Sequence, residues 1–282
     1  MTKFQSKKND SYKSESTNEE PVQESNSKPV EEVNNTSENT DKPIDWKRFD
    51  HIYCINYYKN NDRLNHIMSE FHRLGITDNF SVERIYPSVL DVDNYNVDKD
   101  KFPNIDLYRK AKAHFNCIEK ALYENYERIL IVEDDASFMN DKKMVFDLID
   151  DLPINQDIVM FDNCLVNYAD SAKEMPMVSK YYADMDDVRM CLSTCYSLSR
   201  KGMEHVYYNQ KNKFMVPDYY LSKQSGVKDI DKLKRCICDC RMVVQSPNFT
   251  KESISSELMG DDKNPIIKMY KNERVNMNNY NI

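Results

Sequence analysis

Three carboxylates stand in a row at Glu133, Asp134 and Asp135. Adjacent carboxylates repel one another unless a cation lies between them. Their hard oxygens suit Mg²⁺ or Mn²⁺, ions that in turn hold phosphate oxygens. The pattern fits a metal–diphosphate site; it also fits an acidic turn that merely ends a strand. The residues before it fix its place. Ile129-Leu-Ile-Val132 is a short unbroken apolar run, as expected of a strand buried on both faces of a largely parallel sheet. Unpaired charge cannot continue into a dry core. The acids are therefore expected just past the carboxyl end of that strand, where open α/β sheets bind ligands.

The elements that must position them follow from periodicity. Residues 51–56 read as a first strand. A helix follows, with Asn61 as a cap, Asp62 in its first turn and Gly75 at its end. Leu64, Ile67, Met68, Phe71 and Leu74 form its apolar stripe. Residues 80–85 read as a second strand, so the chain opens strand, helix, strand, the start of a doubly wound α/β unit. Residues 92–106 are polar and read as loop. A second helix spans 107–126, with Leu107, Ala111, His114, Ile118 and Leu122 on one face. His114 there is either a hydrogen-bonded core histidine or a site residue. After the acidic strand come a helix over 142–150, a strand over 157–162 and a polar excursion to about 189. A strand over 191–199, a helix to about 208, a short helix opened by Pro217 and a strand over 235–245 complete the pattern.

Composition narrows the function. Of 282 residues 40% are hydrophobic, enough for a sizeable core, and the net charge of −8 argues against a nucleic-acid partner, which wants a basic face. The four glycines, Gly75, Gly202, Gly226 and Gly260, lie far apart, so neither a GxGxxG turn nor a P-loop can be written. The first residues carry no apolar signal core, and no stretch approaches the roughly 20 apolar residues of a membrane helix. The eight cysteines then read as reduced thiols of a cytoplasmic protein. Cys236, Cys238 and Cys240 alternate, which on a strand puts them on one face. They read as buried small residues, since a metal cluster would want CxxC pairs or a histidine. Residues 1–44 are too polar to offset their ordering entropy and are expected to form a disordered tail. Residues 45–258 are expected to fold, and 259–282 to form a loose tail.

The ordered set of pieces resembles glycosyltransferase family 25, the lipooligosaccharide and collagen glycosyltransferase group. The pieces are Ile55-Asn56, Asp62-Arg63-Leu64, Ala113-His114, Glu133-Asp134-Asp135-Ala136, Cys195-Tyr196-Ser197, Ser199-Arg200, Pro217-Asp218, Gln245 and Ser253-Ile254. They run in the family's order from about residue 50 to 256. Three departures stand out: Arg109-Lys110 replaces the family's Gly-Cys, Ala113 replaces its serine, and the glycine usual before the later Tyr strand is absent. The resemblance implies a GT-A-like fold, a Rossmann-type mixed, mostly parallel sheet with helices on both faces. It implies transfer of a sugar, with inversion, from a nucleotide-diphosphate donor, usually UDP-linked, to a hydroxyl of a glycan or protein acceptor.

In that reading Asp134 and Asp135 hold Mn²⁺ or Mg²⁺ and Glu133 aims them. Asn56 and Arg63 contact the nucleotide, unless Arg63 is a surface arginine paired with Asp62. His114 lies near the donor. Asp218 is the base that inversion needs, unless it is a helix-start residue. A family member that binds without turnover, or an interaction protein, stays open as an alternative.

Overall fold

The computed structural model describes residues 43–98, 102, 104–162, 175–185, 193–211, 215–221, 232–240, 242–246 and 248–249. The chain begins with a 3₁₀ turn, Trp46–Arg48, whose Trp46 indole donates to Leu74 O at 3.0 Å. Then follow β1 (His51–Tyr57), α1 (Asn61–Leu74), β2 (Phe80–Ile85), α2 (Val89–Asp98), α3 (Ile105–Tyr123), β3 (Arg128–Glu133), β4 (Ala136–Phe138) and α4 (Lys142–Asp150). The second half supplies β5 (Ile158–Met160), β6 (Tyr182–Asp184), β7 (Cys195–Ser199), α5 (Arg200–Gln210), α6 (Pro217–Leu221), β8 (Arg235–Cys238) and β9 (Val243–Gln245).

Seven strands form one sheet in the order β2-β1-β3-β7-β5-β8-β6, and β4 pairs with β9 in a small second sheet. Strands β2, β1, β3, β5 and β8 share a direction, while β7 and β6 oppose it. The fold is thus mixed α/β with a mostly parallel, Rossmann-like sheet. Alternation along the central strands sends side chains into two cores. Ile52, Cys54, Leu130 and Val132 pack with α1 and α4 on one side. Tyr53, Ile55, Ile129 and Ile131 pack with α3 and α5 on the other. Helices therefore cover both faces, and Ile129 to Val132 are fully buried, as an unbroken apolar run requires.

Several local expectations are corrected. Residue 60, not Asn61, is the N-cap of α1, and Asn60 makes no side-chain cap bond; Gly75 does end the helix, at φ 78°. Residues 92–106 are not all loop, because α2 occupies 89–98 and α3 starts at Ile105. The periodic stripe that marks a helix is missing from α2: Val89, Leu90 and Val92 are exposed, and its buried anchor is Asp91, bonded to Lys112 at 2.7 Å and Arg109 at 3.4 Å. The expected strand over 235–245 is two strands in two sheets, β8 ending at Cys238 and β9 starting at Val243, and neither Gly nor Pro in the sequence between them announces the break. The polar excursion contains one of the sheet's two edge strands, β6. Cys236 and Cys238 lie buried on β8 and Cys240 lies beyond it, all as free thiols. Among the described residues no helix is long and apolar enough to cross a membrane. The expected tails lie outside the described residues, save Pro43 and Ile44, of which Ile44 is buried in the core.

Candidate functional site

Glu133 is the last residue of β3, and Asp134 and Asp135 form the turn into β4. The turn is fixed from three sides by backbone bonds: Glu133 N to Thr194 O at 2.8 Å, Asp134 N to Ile55 O at 3.0 Å, and Ser246 N to Asp135 O at 2.6 Å. None of the three side chains splays into water; their residues are 5%, 6% and 2% exposed. Asp134 Oδ2 accepts from Asn56 Nδ2 at 2.6 Å. Asp135 Oδ2 accepts from Gln245 Nε2 at 2.8 Å and from Arg63 Nη1 at 3.1 Å, and the same Nη1 lies 3.5 Å from Asp134 Oδ1. Arg63 Nη2 donates to Phe249 O at 3.1 Å. Arg63 is thus a buried partner of the acids, not a surface arginine paired with Asp62. One guanidinium does not balance the two aspartates. Burial, and then the charge of Asp135, push the Asp134 carboxyl up to about 7. Burial and the neighbouring Glu133 push Asp135 up as well. Asp135 Oδ1 and Asn56 Oδ1 are buried with no hydrogen-bond partner.

Glu133 faces a different layer. Its Oε2 lies 2.7 Å from Lys110 Nζ, and its Oε1 accepts from Ser193 Oγ at 3.0 Å and meets His114 Nε2 at 3.2 Å. Burial alone would raise the Glu133 carboxyl, but Lys110 and His114 outweigh it and hold it at about 2. His114 is wholly buried, and burial lowers its pKa against the pull of Glu133. A carboxylate can only accept, so the neutral ring carries its proton on Nε2. Nδ1 then accepts from the Tyr196 hydroxyl at 2.9 Å. The Tyr220 hydroxyl, on α6, lies 3.5 Å from that of Tyr196. The chain α6–Tyr196–His114–Glu133 runs beneath the acidic turn.

A cavity of about 170 Å³ opens at the end of β2 between α2 and α3, lined by Arg84, Tyr86, Ser88, Asp91, Arg109 and Asn116 among others. Arg84 ties its wall to the β1–α1 loop by donating to Tyr58 O at 2.8 Å and Asn61 Oδ1 at 3.3 Å. The rings of Tyr57, Tyr58 and Tyr86 follow one another at 5.3 and 5.5 Å.

A family model described as "Glycosyltransferase family 25 (LPS biosynthesis protein)" matches residues 49–242, from β1 to the threshold of β9. The chain belongs to glycosyltransferase family 25. Membership implies glycosyltransferase activity, and with it a sugar donor and an acceptor. No curated protein matches the chain. Among solved structures, "Crystal Structure of A197 from STIV" matches at 9% identity and a TM-score of 0.32, over 70% of this chain and 94% of that one. A likeness that loose carries no argument here.

As a family 25 member, the chain gathers Asn56, Arg63, Asp134 and Asp135 into one hydrogen-bonded cluster, while Glu133, next to them in the chain, bonds with His114 in a separate set. Asp218 belongs to α6, but its side chain lies outside the described residues, as do Ser253 and Ile254. Sequence reasoning missed Lys110 and Ser193. Lys110 stands where the family has cysteine, and only the packing of α3 against β3 reveals that it meets Glu133. Gln245 was visible solely as a matched letter; its bond to Asp135 gives that letter a physical role.

Proposed function

We propose that this family 25 glycosyltransferase moves a sugar from a UDP-type donor to a hydroxyl acceptor, with inversion and with help from Mn²⁺ or Mg²⁺. The observation that carries the reading is the charge deficit at Asp134 and Asp135, two buried aspartates served by a single guanidinium. The residues fit a divalent ion. Asp135 Oδ1 and Asn56 Oδ1 are hard oxygens, buried and without partners. Among the described residues no three His, Cys, Asp or Glu side chains form a ready-made metal cage. A Mg²⁺-type site takes one or two carboxylates and completes its shell with water and substrate phosphate. Asp134 and Asp135 would hold the ion, which when bound supplies Lewis-acid relief of the charge on the departing diphosphate.

The chain's own residues do the rest. Glu133, pinned by Lys110, Ser193 and His114, anchors the end of β3, so that the aspartates keep their aim. Asn56 orients Asp134, and Gln245 orients Asp135. The nucleoside goes to the β2-end cavity, where Tyr86, backed by the ring of Tyr58, offers a ring face to a base and Arg84 supplies a cation. Asp218 is proposed to take the acceptor hydroxyl's proton during attack, from a helix joined to the site through Tyr220.

A screen of UDP-sugars for metal-dependent UDP release tests the reading, with Asp134→Ala and Asp135→Ala alongside. Release by the parent and its loss in both variants is expected. Equal activity in folded variants would remove the metal assignment. Donor binding without release would make the chain a binder instead.

A further inference from the structure

We propose that Arg63 holds the place of the divalent ion in the free protein and exchanges it for the donor's diphosphate when the ion arrives. The inference rests on the metal–diphosphate reading above. Arg63 is the bridging cation of the acidic pair, 3.1 Å from Asp135 Oδ2 and 3.5 Å from Asp134 Oδ1, with its side chain 9% exposed. The bridge is a poor one. A guanidinium pairs best as a fork, two N–H groups against the two oxygens of one carboxylate. Here a single nitrogen, Nη1, serves both aspartates, Nη2 turns away to the Phe249 carbonyl, and Nε is buried with no hydrogen-bond partner.

Asp135 Oδ1 and Asn56 Oδ1 are orphaned in the same place. Each buried polar atom without a partner carries a desolvation cost. Three of them around one contact mark an arrangement that a better cation can displace. A divalent ion accepts several oxygens at once, which one guanidinium nitrogen does not. A released Arg63 then has five N–H donors for two phosphates. Phe249 is its second hold, through the carbonyl and through a ring 5.4 Å from the guanidinium, so Phe249 is tied to the same exchange.

The test uses the full chain. Mn²⁺ binding is followed by electron paramagnetic resonance without nucleotide, and UDP binding by calorimetry at saturating Mn²⁺, for the parent, Arg63→Met and Arg63→Lys. Removing a competing charge at contact distance should tighten Mn²⁺ binding roughly tenfold in Arg63→Met, while UDP binding weakens roughly tenfold or more. Damage to the fold would weaken both, so the opposite signs are diagnostic. Arg63→Lys keeps the competing charge and should bind Mn²⁺ within about threefold of the parent. Loss of both affinities in Arg63→Met, or unchanged Mn²⁺ affinity, overturns the exchange.

The intact protein gives a second measurement should Arg63→Met not fold. With ¹⁵N at arginine Nε, the Arg63 signal should move on addition of Mg²⁺ alone, and an unmoved signal at saturation overturns the proposal. If neither parent nor variants take up Mn²⁺ or Mg²⁺, the metal reading itself has failed. If the parent binds both metal and UDP but Arg63→Met weakens both, only the exchange has failed.

Discussion

At the scale of the residue, the acidic turn carries carboxyl groups pushed in opposite directions, Asp134 and Asp135 up and Glu133 down, and this sets a pH dependence. Asp134 titrates near 7 in the fold against an ordinary 3.8. Between those values the native state binds more protons than the unfolded one, so stability falls as pH rises from about 4 to 7 and levels off above. Glu133 works the other way. Its pKa of about 2 against an ordinary 4.5 gives stability that is fully present above 4.5 and is lost as pH falls towards 2. Above pH 5 the Asp134 trend is thus the one left from this pair. The melting temperature of the parent should fall from pH 5 to 7 and level off above, whereas that of Asp134→Asn should fall less over the same range; the same slope in both would remove Asp134 as its source. Mn²⁺ affinity should rise over the same range, because the ion competes with the Asp134 proton. Glu133→Gln should cost about 10- to 100-fold in Mn²⁺ affinity without removing a ligand, since Glu133 acts by aiming its neighbours. Much of this cluster was legible in the chain: three acids after an apolar run announce their own place. Lys110 and Ser193 were not, because each reaches Glu133 from an element distant in sequence, and no local pattern encodes a pairing between helix and strand.

At the scale of the element, legibility follows burial. Helices α1 and α3 declare themselves by an apolar stripe, and β3 by its apolar run. Helix α2 hides because the large side chains of its first turn face solvent, with Val89 80% and Leu90 68% exposed, and a buried carboxylate, Asp91, lies between them and Val92. This gives a pair of contrasting expectations. Val89→Ser with Leu90→Ser should change stability by less than about 0.5 kcal/mol, as surface substitutions do. Asp91→Ala should cost about 1–2 kcal/mol, a discounted figure because Lys112 is partly exposed, and should speed hydrogen exchange over 89–98. Urea unfolding measures both; equal costs would mean that apolar packing, not the ion pairs, holds α2. Helix α5 is set by a different device. Ser199 caps it by accepting from Gly202 N at 3.2 Å, and a Cβ at Gly202 would collide with the Asp157 carbonyl. Gly202→Ala should therefore destabilise by about 1–3 kcal/mol, although alanine normally favours a helix. A stabilised variant would show that the β5 end yields to the methyl group.

At the scale of the whole molecule, the sheet's job is to bring sequence-distant pieces to one rim. Asn56 lies near the end of β1, Arg63 in the first turn of α1, Asp134 and Asp135 follow β3, and Gln245 ends β9, yet the two aspartates join them all. Parallel strands fed by helices put their carboxyl ends on one side, so the convergence is a consequence of topology, not of any one element. A ligand at that rim should be felt at all four places at once and hardly elsewhere. UDP with Mn²⁺ at about 100 times its Kd stabilises by roughly 2.7 kcal/mol, which should raise the melting temperature by about 5 °C or more. Hydrogen exchange under the same conditions should show added protection over 55–64, 133–138 and 243–249, and at the start of α3 that carries Lys110. Strand β6, at the far edge of the sheet, should change little, because it is separated from the rim cluster by β8, β5 and β7. Protection confined to one of the four segments, or centred on β6, would mean that the ligand sits elsewhere and that the acids gather at the rim for the fold's sake alone.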